Sequence, residues 1–400
     1  MLYHSYCRLY QTAYRTAAPF MHWRTPERLH GTGSVEQLPA LLKAKGVRQL
    51  LVVTDARIMQ LGLADPFLSL LREQDIGVSL YDQIEPNPTT AQIEAARQLY
   101  EKTACDAIAA FGGGSVIDCA KAAAARIARP GRTLREMRGQ LKVRRDLPLL
   151  AAVPTTAGTG SEATVAAVVS EPETKEKYAV NDTVLIPHIA VHDPLLTVGM
   201  PPAVTAETGM DALTHAVEAY IGRSGTKETK RLSESAVPLI LSHLPAAYAD
   251  GEDLEARGAM LEAAYQAGRA FTRAYVGNIH AVAHTLSAWY GVPHGRANAV
   301  VMPHVLRYYG TAVHRPLAAL ADAAGLDAGD EAARAEAFIR RIEKMNEQMG
   351  LPAHLPAIRT ADLPFLVEQA LAEANPLYPV PVIFGRGDMT LVYRLVQGTA

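Results

Sequence analysis

The sequence predicts two halves of different class: an α/β, doubly wound parallel sheet up to about residue 200, then an all-α half. Three observations carry this. Short apolar runs alternate with helical patterns between 31 and 200. Two of those runs end in Gly/Thr-rich loops. After Pro201-Pro202 strand-like runs become scarce, and Ala-, Leu- and Glu-rich segments take over.

RQLLVVTD (48–55) reads as a buried strand ending in Asp55, and GVSLYDQI (77–84) as a second, followed by the turn-rich EPNPTT. TAQIEAARQLYEKTA (90–104) spaces its apolar residues as a helix does. DAIAAF (106–111) is a strand that runs into GGGS and a further helix, VIDCAKAAAARIA, and PLLAAVP (148–154) is the next strand. Strands separated by helices of this length form parallel βαβ units. Segments 203–222, 228–249, 252–290, 297–309, 315–324 and 328–349 read as helices, most with a 3.6-residue period. No repeat or low-complexity linker separates the halves, so they are expected to abut and form a cleft.

Length and composition narrow the function. Four hundred residues suit two domains, and 49% hydrophobic with 20% charged residues is an ordinary globular balance. A formal charge of -2 gives no electrostatic reason for a nucleic-acid or anionic-membrane partner. The longest apolar stretches, such as LPLLAAVPTTAG (147–158), are broken by Pro and Gly and too short to span a bilayer. Cys7, Cys105 and Cys119 make neither a disulfide framework nor a CxxC pair, which fits a reducing, cytoplasmic setting. The first twenty residues hold Arg8, Arg15 and no acid. They lack the Ser richness of a transit peptide and read as a docked N-terminal arm.

FGGGSVIDCAK (111–121) places Gly112, Gly113, Gly114 and Ser115 between a strand and a helix N-terminus. Glycines let a backbone approach pyrophosphate oxygens, and free helix N–H groups favour the negative charge. PTTAGTGSE (154–162) adds the hydroxyls of Thr155, Thr156, Thr159 and Ser161 after an adjacent strand. Together the two loops predict a nucleotide site, although neither is GxGxxG. Asp55, at a strand end, sits where an acid accepts from adenosine ribose hydroxyls, which favours NAD over NADP; its alternative reading is an N-cap. Asp118 is kept with this set, although an acid in a first helical turn also simply complements the dipole.

In ETGMDALTHAVEAY (207–220), Asp211 and His215 share a helix face, as do His280 and His284 in GNIHAVAHTLSAWYGVPHG (277–295), where His294 follows. Five ionisable groups on apolar helices would be costly to bury unpaired. A divalent metal satisfies carboxylate and imidazole together, and the mixed O/N set suits Fe(II), with Zn(II) the alternative. His284 has two readings, fifth ligand or proton relay. Phe271 and Val276 precede His280 and either line a substrate pocket or pack the core.

GMDALTHAVEAY, the His280/His284/His294 segment with its PHG, GGGSVIDCAK, VPTTAGTGSE, PNPTT (86–90) and ETKEKYAV (173–180) together resemble the iron-containing (group III) alcohol dehydrogenases over about residues 30 to 310. The resemblance implies an α/β N-terminal Rossmann-like doubly wound parallel sheet plus an all-α C-terminal helical domain, commonly in a homodimer. It implies that Asp211, His215, His280 and His294 are the metal ligands, that Lys177 contacts the cofactor, and that His284 is the non-ligand histidine beside nicotinamide and substrate. The expected domains are a 1–30 arm, a 31–200 dinucleotide-binding domain and a 201–400 metal-binding domain. The expected activity is NAD- and metal-dependent interconversion of a small alcohol and its aldehyde or ketone by hydride transfer. A zinc glycerol dehydrogenase-like enzyme and a hydroxyacid-oxoacid transhydrogenase-like enzyme on the same fold are the alternatives. Val116 stands where relatives usually place Pro, and the tail after about 350 departs from the family ending.

Overall fold

A computed structural model describes residues 2–173 and 176–399. Thr174 and Lys175, within the ETKEKYAV motif, and the chain ends Met1 and Ala400 of the outer expected domains lie outside the described residues. Two compact units emerge: His22–Gly199, and Met1–Met21 together with Met200–Ala400. The arm expected over 1–30 is divided: Leu2–Ala17 form a helix, α1, in the second unit, whereas the residues from His22 on, with a strand at Glu27–His30, belong to the first.

In the His22–Gly199 unit the strands are β1 (Glu27–His30), β2 (Gln49–Val53), β3 (Gly77–Tyr81), β4 (Ala107–Gly112), β5 (Gly139–Gln140), β6 (Leu149–Pro154), β7 (Ala166–Glu171), β8 (Glu176–Asn181) and β9 (Ile189–His192). The helices are α2 (Leu38–Ala44), α3 (Ala56–Gln60), α4 (Asp65–Glu73), α5 (Thr90–Lys102), α6 (Gly114–Ala128) and α7 (Leu134–Met137). Six strands form a parallel sheet in the order β1-β9-β6-β4-β2-β3. Alternation of side chains along each strand sends residues to opposite faces, and here both faces are buried. Leu51, Val53, Ile108 and Ala110 enter a core with Ile93 of α5 and Ile117 and Ala120 of α6. Leu50, Val52, Ala109 and Phe111 enter another with Leu38 and Leu42 of α2 and Phe67 and Leu71 of α4. Each Leu, Val, Ile or Phe among them contributes about 1.5–3 kcal/mol by leaving water.

Register positions the loops. Val53 pairs with Ala110, and Gly112 pairs with Pro154, so β2, β4 and β6 end at one edge of the sheet. Asp55, the GGGS turn and the PTTAGTGSE loop follow those three ends. β2 lies between β3 and β4, so the strand order changes direction there, the kind of switch point at which open α/β sheets bind ligands.

A second sheet of order β5-β8-β7 was not expected from the sequence, nor were β1 and β9. β7 and β8 pair antiparallel, and β8 is polar and half-buried, so it lacks the apolar run that marks the central strands.

The second unit continues with α8 (Pro202–Ile221), α9 (Lys227–Ala249), α10 (Leu254–Ala274), α11 (Asn278–Tyr290), α12 (His294–Tyr309), α13 (His314–Ala323), α14 (Glu331–Gln348), α15 (Leu363–Ala374) and α16 (Arg386–Gln397). The single helix expected over 252–290 is corrected to two. Tyr275 takes φ 65° and ψ 175°, which ends α10. A new helix then starts after Gly277, its first N–H groups held by Glu218. α1 is held by this unit's C-terminal segment: Arg8 donates to the carbonyls of Val380 (2.7 Å) and Pro381 (2.8 Å), and Gln11 to that of Tyr378 (2.7 Å). Among the described residues no helix is long and apolar enough to cross a membrane.

Candidate active site

Helix α8 is buried from Gly209 through Ile221. Its spacing of four and then three residues puts Asp211, His215 and Glu218 along one face. Two glycines bring the neighbouring helices close enough. A Cβ on Gly209 would lie 2.3 Å from Leu244 of α9, and one on Gly295 would lie 2.0 Å from the Glu207 carbonyl oxygen. Gly295 therefore explains the PHG string: only glycine lets the start of α12 rest on α8 and deliver His294 to Asp211.

Asp211 Oδ1 lies 3.2 Å from His294 Nε2, 3.6 Å from His280 Nε2 and 3.9 Å from His215 Nε2. Donors about 2.1 Å from a tetrahedral centre lie about 3.4 Å apart, so the donor set fits a divalent ion. Among the described residues, ligand atoms of Asp211, His215 and His280 all fall within 4.8 Å of one another. His280 is fixed from behind, its Nδ1 2.6 Å from Glu218 Oε2, which leaves Nε2 facing Asp211. Glu218 also accepts from the N–H groups of Gly277 and Ile279, each at 2.8 Å. A Cβ on Gly277 would meet this carboxylate at 2.7 Å. His215 stacks on Phe271 at 4.0 Å and on His280 at 4.6 Å between ring centres. Phe271, expected at the pocket wall or in the core, thus packs a candidate ligand. Val276 sits partly buried in the break between α10 and α11.

Burial alone would raise the Asp211 carboxyl, but the imidazoles of His215, His294 and His280 hold it well below the usual carboxylate range. Burial pushes His215 down to about 3. For His280 burial also lowers, yet Asp211 and Glu218 together push it up to about 9. Asn298 Nδ2 lies 2.8 Å from Asp211 Oδ1 and 3.2 Å from both His280 Nε2 and His294 Nε2. Sequence reasoning missed Glu218 and Asn298. For Glu218 the signal was there, seven residues after Asp211 on the same face; for Asn298 it was the i+4 spacing from His294.

His284 stands on the more open side, its side chain 37% exposed, with its ring 5.0 Å from that of His294 and 5.7 Å from that of His280. Its Nδ1 lies 2.5 Å from Glu373 Oε1 in α15.

In the other unit, close approach requires glycine at Gly112 and Gly114 and leaves Gly113 in ordinary contact. A Cβ on Gly112 would lie 2.7 Å from Val116, one on Gly114 2.7 Å from Thr159, and one on Gly113 3.4 Å from Thr156. The two loops therefore pack on each other. Helix α6 has Gly113 as its N-cap and no side-chain cap, so the cradle suits an anion. Ser115 Oγ accepts from the Asn87 N–H (3.1 Å), and Lys177 donates to Asn87 Oδ1 (2.6 Å), which joins the PNP turn, GGGS and β8. Thr155 N donates to the Gly112 carbonyl (3.2 Å), and Thr159 Oγ1 accepts from Ser161 N (3.2 Å). Asp118 and Ser161, both expected at the cofactor, bond each other at 2.7 Å. With Val168 N also donating to Asp118, the pair ties α6 to the second loop and to β7. Asp55 caps α3, its Oδ1 accepting from Ile58 N at 2.9 Å, which leaves its second oxygen for another donor. Buried Lys121, missed from sequence, donates to the Thr164 and Ala166 carbonyls and holds the segment after the loop; burial pushes it down to about 8.

Comparison with known proteins places this arrangement. Residues 26–194 match the family model described as iron-containing alcohol dehydrogenase, and residues 205–395 match that of the Fe-containing alcohol dehydrogenase family, C-terminal. Alcohol dehydrogenase 4 of Schizosaccharomyces pombe is 36% identical over 393 residues, covering 94% of this chain and 92% of that protein. NAD-dependent methanol dehydrogenase of Bacillus methanolicus is 35% identical over 359 residues, 88% and 94% of the two chains. A crystal structure of 1,3-propanediol oxidoreductase superposes with a TM-score of 0.90 at 34% identity, covering 94% of this chain and 99% of that one.

Proposed function

Because the chain belongs to the iron-containing alcohol dehydrogenase family, we propose that its four-donor cluster and its two glycine loops are the working parts of an NAD-dependent enzyme that interconverts small alcohols and their aldehydes or ketones. The observation that carries the site assignment is the spacing of three imidazole nitrogens 3.2–3.9 Å from one carboxylate oxygen.

Asp211, His215, His280 and His294 hold a divalent ion, Fe(II) by family and by its mixed donor set. When bound, the ion would supply Lewis-acid chemistry at the alcohol's oxygen, and NAD would supply the hydride acceptor or donor. The rest is the work of this chain's side chains. Glu218 fixes the His280 tautomer through Nδ1, and Phe271 holds the His215 ring by stacking. Gly112, Gly113, Gly114 and Ser115 present the α6 N-terminus to the pyrophosphate, with Thr155, Thr156, Thr159 and Lys177 around it. Asp118 and Ser161 hold the second loop in shape. Asp55 accepts from the adenosine ribose with the oxygen that α3 does not use. His284, by way of Nε2, takes the alcohol's hydroxyl proton and passes it to solvent.

The finer assignments belong to the same proposal. Residues 22–199 bind cofactor and 200–400 bind metal. Three unpaired thiols support a cytoplasmic setting. The homodimer rests on family likeness and is read by light scattering. The enzyme itself is tested by loading chelator-treated protein with Fe(II) or Zn(II) and following NADH formation on methanol, ethanol and 1,3-propanediol. Turnover that returns with metal supports the reading, and turnover independent of metal contradicts it.

A further inference from the structure

The segment after about residue 350, expected to depart from the family ending, is instead matched by the family's C-terminal model through residue 395, and it reaches the candidate site. Glu373, in the last turn of α15, places Oε1 2.5 Å from His284 Nδ1 and accepts the Tyr378 hydroxyl on the same oxygen at 2.8 Å. We propose that Glu373 is a positioning residue for the reaction: it fixes the tautomer and ring orientation of His284 so that Nε2 is the nitrogen left for the alcohol's proton. This rests on the reading of His284 as the relay.

Three features favour positioning over simple tethering of helices. First, α15 is already docked by Leu363, Leu366, Val367, Ala370 and Ala374, all buried. Second, a carboxylate in a last helical turn opposes the helix dipole, so Glu373 is poorly placed for the helix itself. Burial too would raise its carboxyl, but His284 and Tyr378 hold it below the ordinary value. Third, its second donor is itself fixed. The Tyr378 carbonyl accepts from Gln11 of α1 at 2.7 Å, and the Tyr378 ring leans on Tyr275 at 6.5 Å between centres. The side chains of Glu373 and His284 are 31% and 37% exposed, so the pair lies where a substrate can reach it.

The chemistry is that of a carboxylate behind a working imidazole. A carboxylate accepts and cannot donate when ionised, so the proton between the two sits on Nδ1, and in the neutral ring Nε2 is the nitrogen with the lone pair. Partners of this kind, one bond removed from the reacting group, change activity by roughly 10- to 100-fold when removed.

The test compares Glu373→Ala, Glu373→Gln, Tyr378→Phe and His284→Ala as metal-loaded, full-length protein. Glu373→Ala is expected to lose roughly 10- to 100-fold in kcat with KM for the alcohol and metal content unchanged. Glu373→Gln keeps an acceptor for Nδ1–H and regains most of that loss. Added formate restores part of the turnover of Glu373→Ala and none of that of His284→Ala. In the diamagnetic zinc-loaded protein, the nitrogen resonances of His284 report a protonated Nδ1 that Glu373→Ala abolishes. The positioning role is overturned if His284→Ala is slow while Glu373→Ala keeps wild-type kcat. It is equally overturned if Glu373→Gln loses metal or fold along with activity, or if formate rescues nothing while Tyr378→Phe matches the wild type. Wild-type kcat in His284→Ala removes the relay itself, and the role of Glu373 with it.

Discussion

Glu218 Oε2 lies 2.6 Å from His280 Nδ1, and the same carboxylate holds the first N–H groups of the helix that carries His280. One side chain thus sets both where α11 begins and which nitrogen its histidine offers to Asp211. Carboxylate–histidine pairs of this kind tune metal affinity. Glu218→Gln is expected to weaken metal binding roughly 10- to 100-fold, read by competition with a chromophoric chelator. Unchanged affinity would reduce Glu218 to a helix cap.

Gly295 is the second support of the cluster. A methyl there would lie 2.0 Å from the Glu207 carbonyl oxygen, so backbone must move. Gly295→Ala is expected to cost about 1–3 kcal/mol of stability from overpacking. It also shifts His294 away from Asp211, so metal content falls. Thermal melts with metal analysis check both, and full metal content in a destabilised protein would show that α12 adjusts without carrying His294 along.

Asp55 caps α3 and, on the proposed reading, also selects the cofactor. Asp55→Gly removes the charge that repels a 2′-phosphate, while glycine at an N-cap costs only a few tenths of a kcal/mol. The ratio of kcat/KM for NADP over NAD should rise with little change in Tm. An unchanged ratio would leave Asp55 as the cap of α3 alone.

Protons compete with the ion. Although burial alone would lower His280, Asp211 and Glu218 push it up to about 9, so the metal-free protein keeps this imidazole protonated at neutral pH. A ligand must be neutral to bind, so metal uptake displaces a proton below about pH 9 and not above it. Apparent affinity should rise about ten-fold per pH unit from about 7 toward 9 and then level. Calorimetric titration with Zn(II) in buffers of differing ionisation enthalpy reads the released proton. An affinity flat over that range would contradict the paired arrangement.

Much of this was legible in the residues. The runs at 50–53 and 107–111 are apolar on both faces, which only a sheet covered on both sides allows, and both glycine loops follow such runs. The D-x-x-x-H and H-x-x-x-H spacings gave the helix faces of Asp211, His215, His280 and His284. The structure brings the first three together with His294 through two glycines whose need for close approach no spacing reveals. The β7–β8 hairpin escaped because β8 is polar and half-buried. The break at Tyr275 escaped because helical periodicity continues on both sides of it. Glu373 lies 89 residues beyond His284, and no local pattern ties two side chains so far apart.

On the proposed assignment, Asp211, His215, His280 and His294 hold the metal on which turnover depends. His280 is the most diagnostic, being buried, backed by Glu218 and 3.6 Å from Asp211. The measurement is metal content by mass spectrometry on His280→Ala, taken with NADH affinity and alcohol turnover on the same preparation. The expected result is loss of most of the metal and nearly all turnover, with NADH binding retained because the glycine loops lie in the other unit. Full metal occupancy in His280→Ala would contradict the ligand assignment.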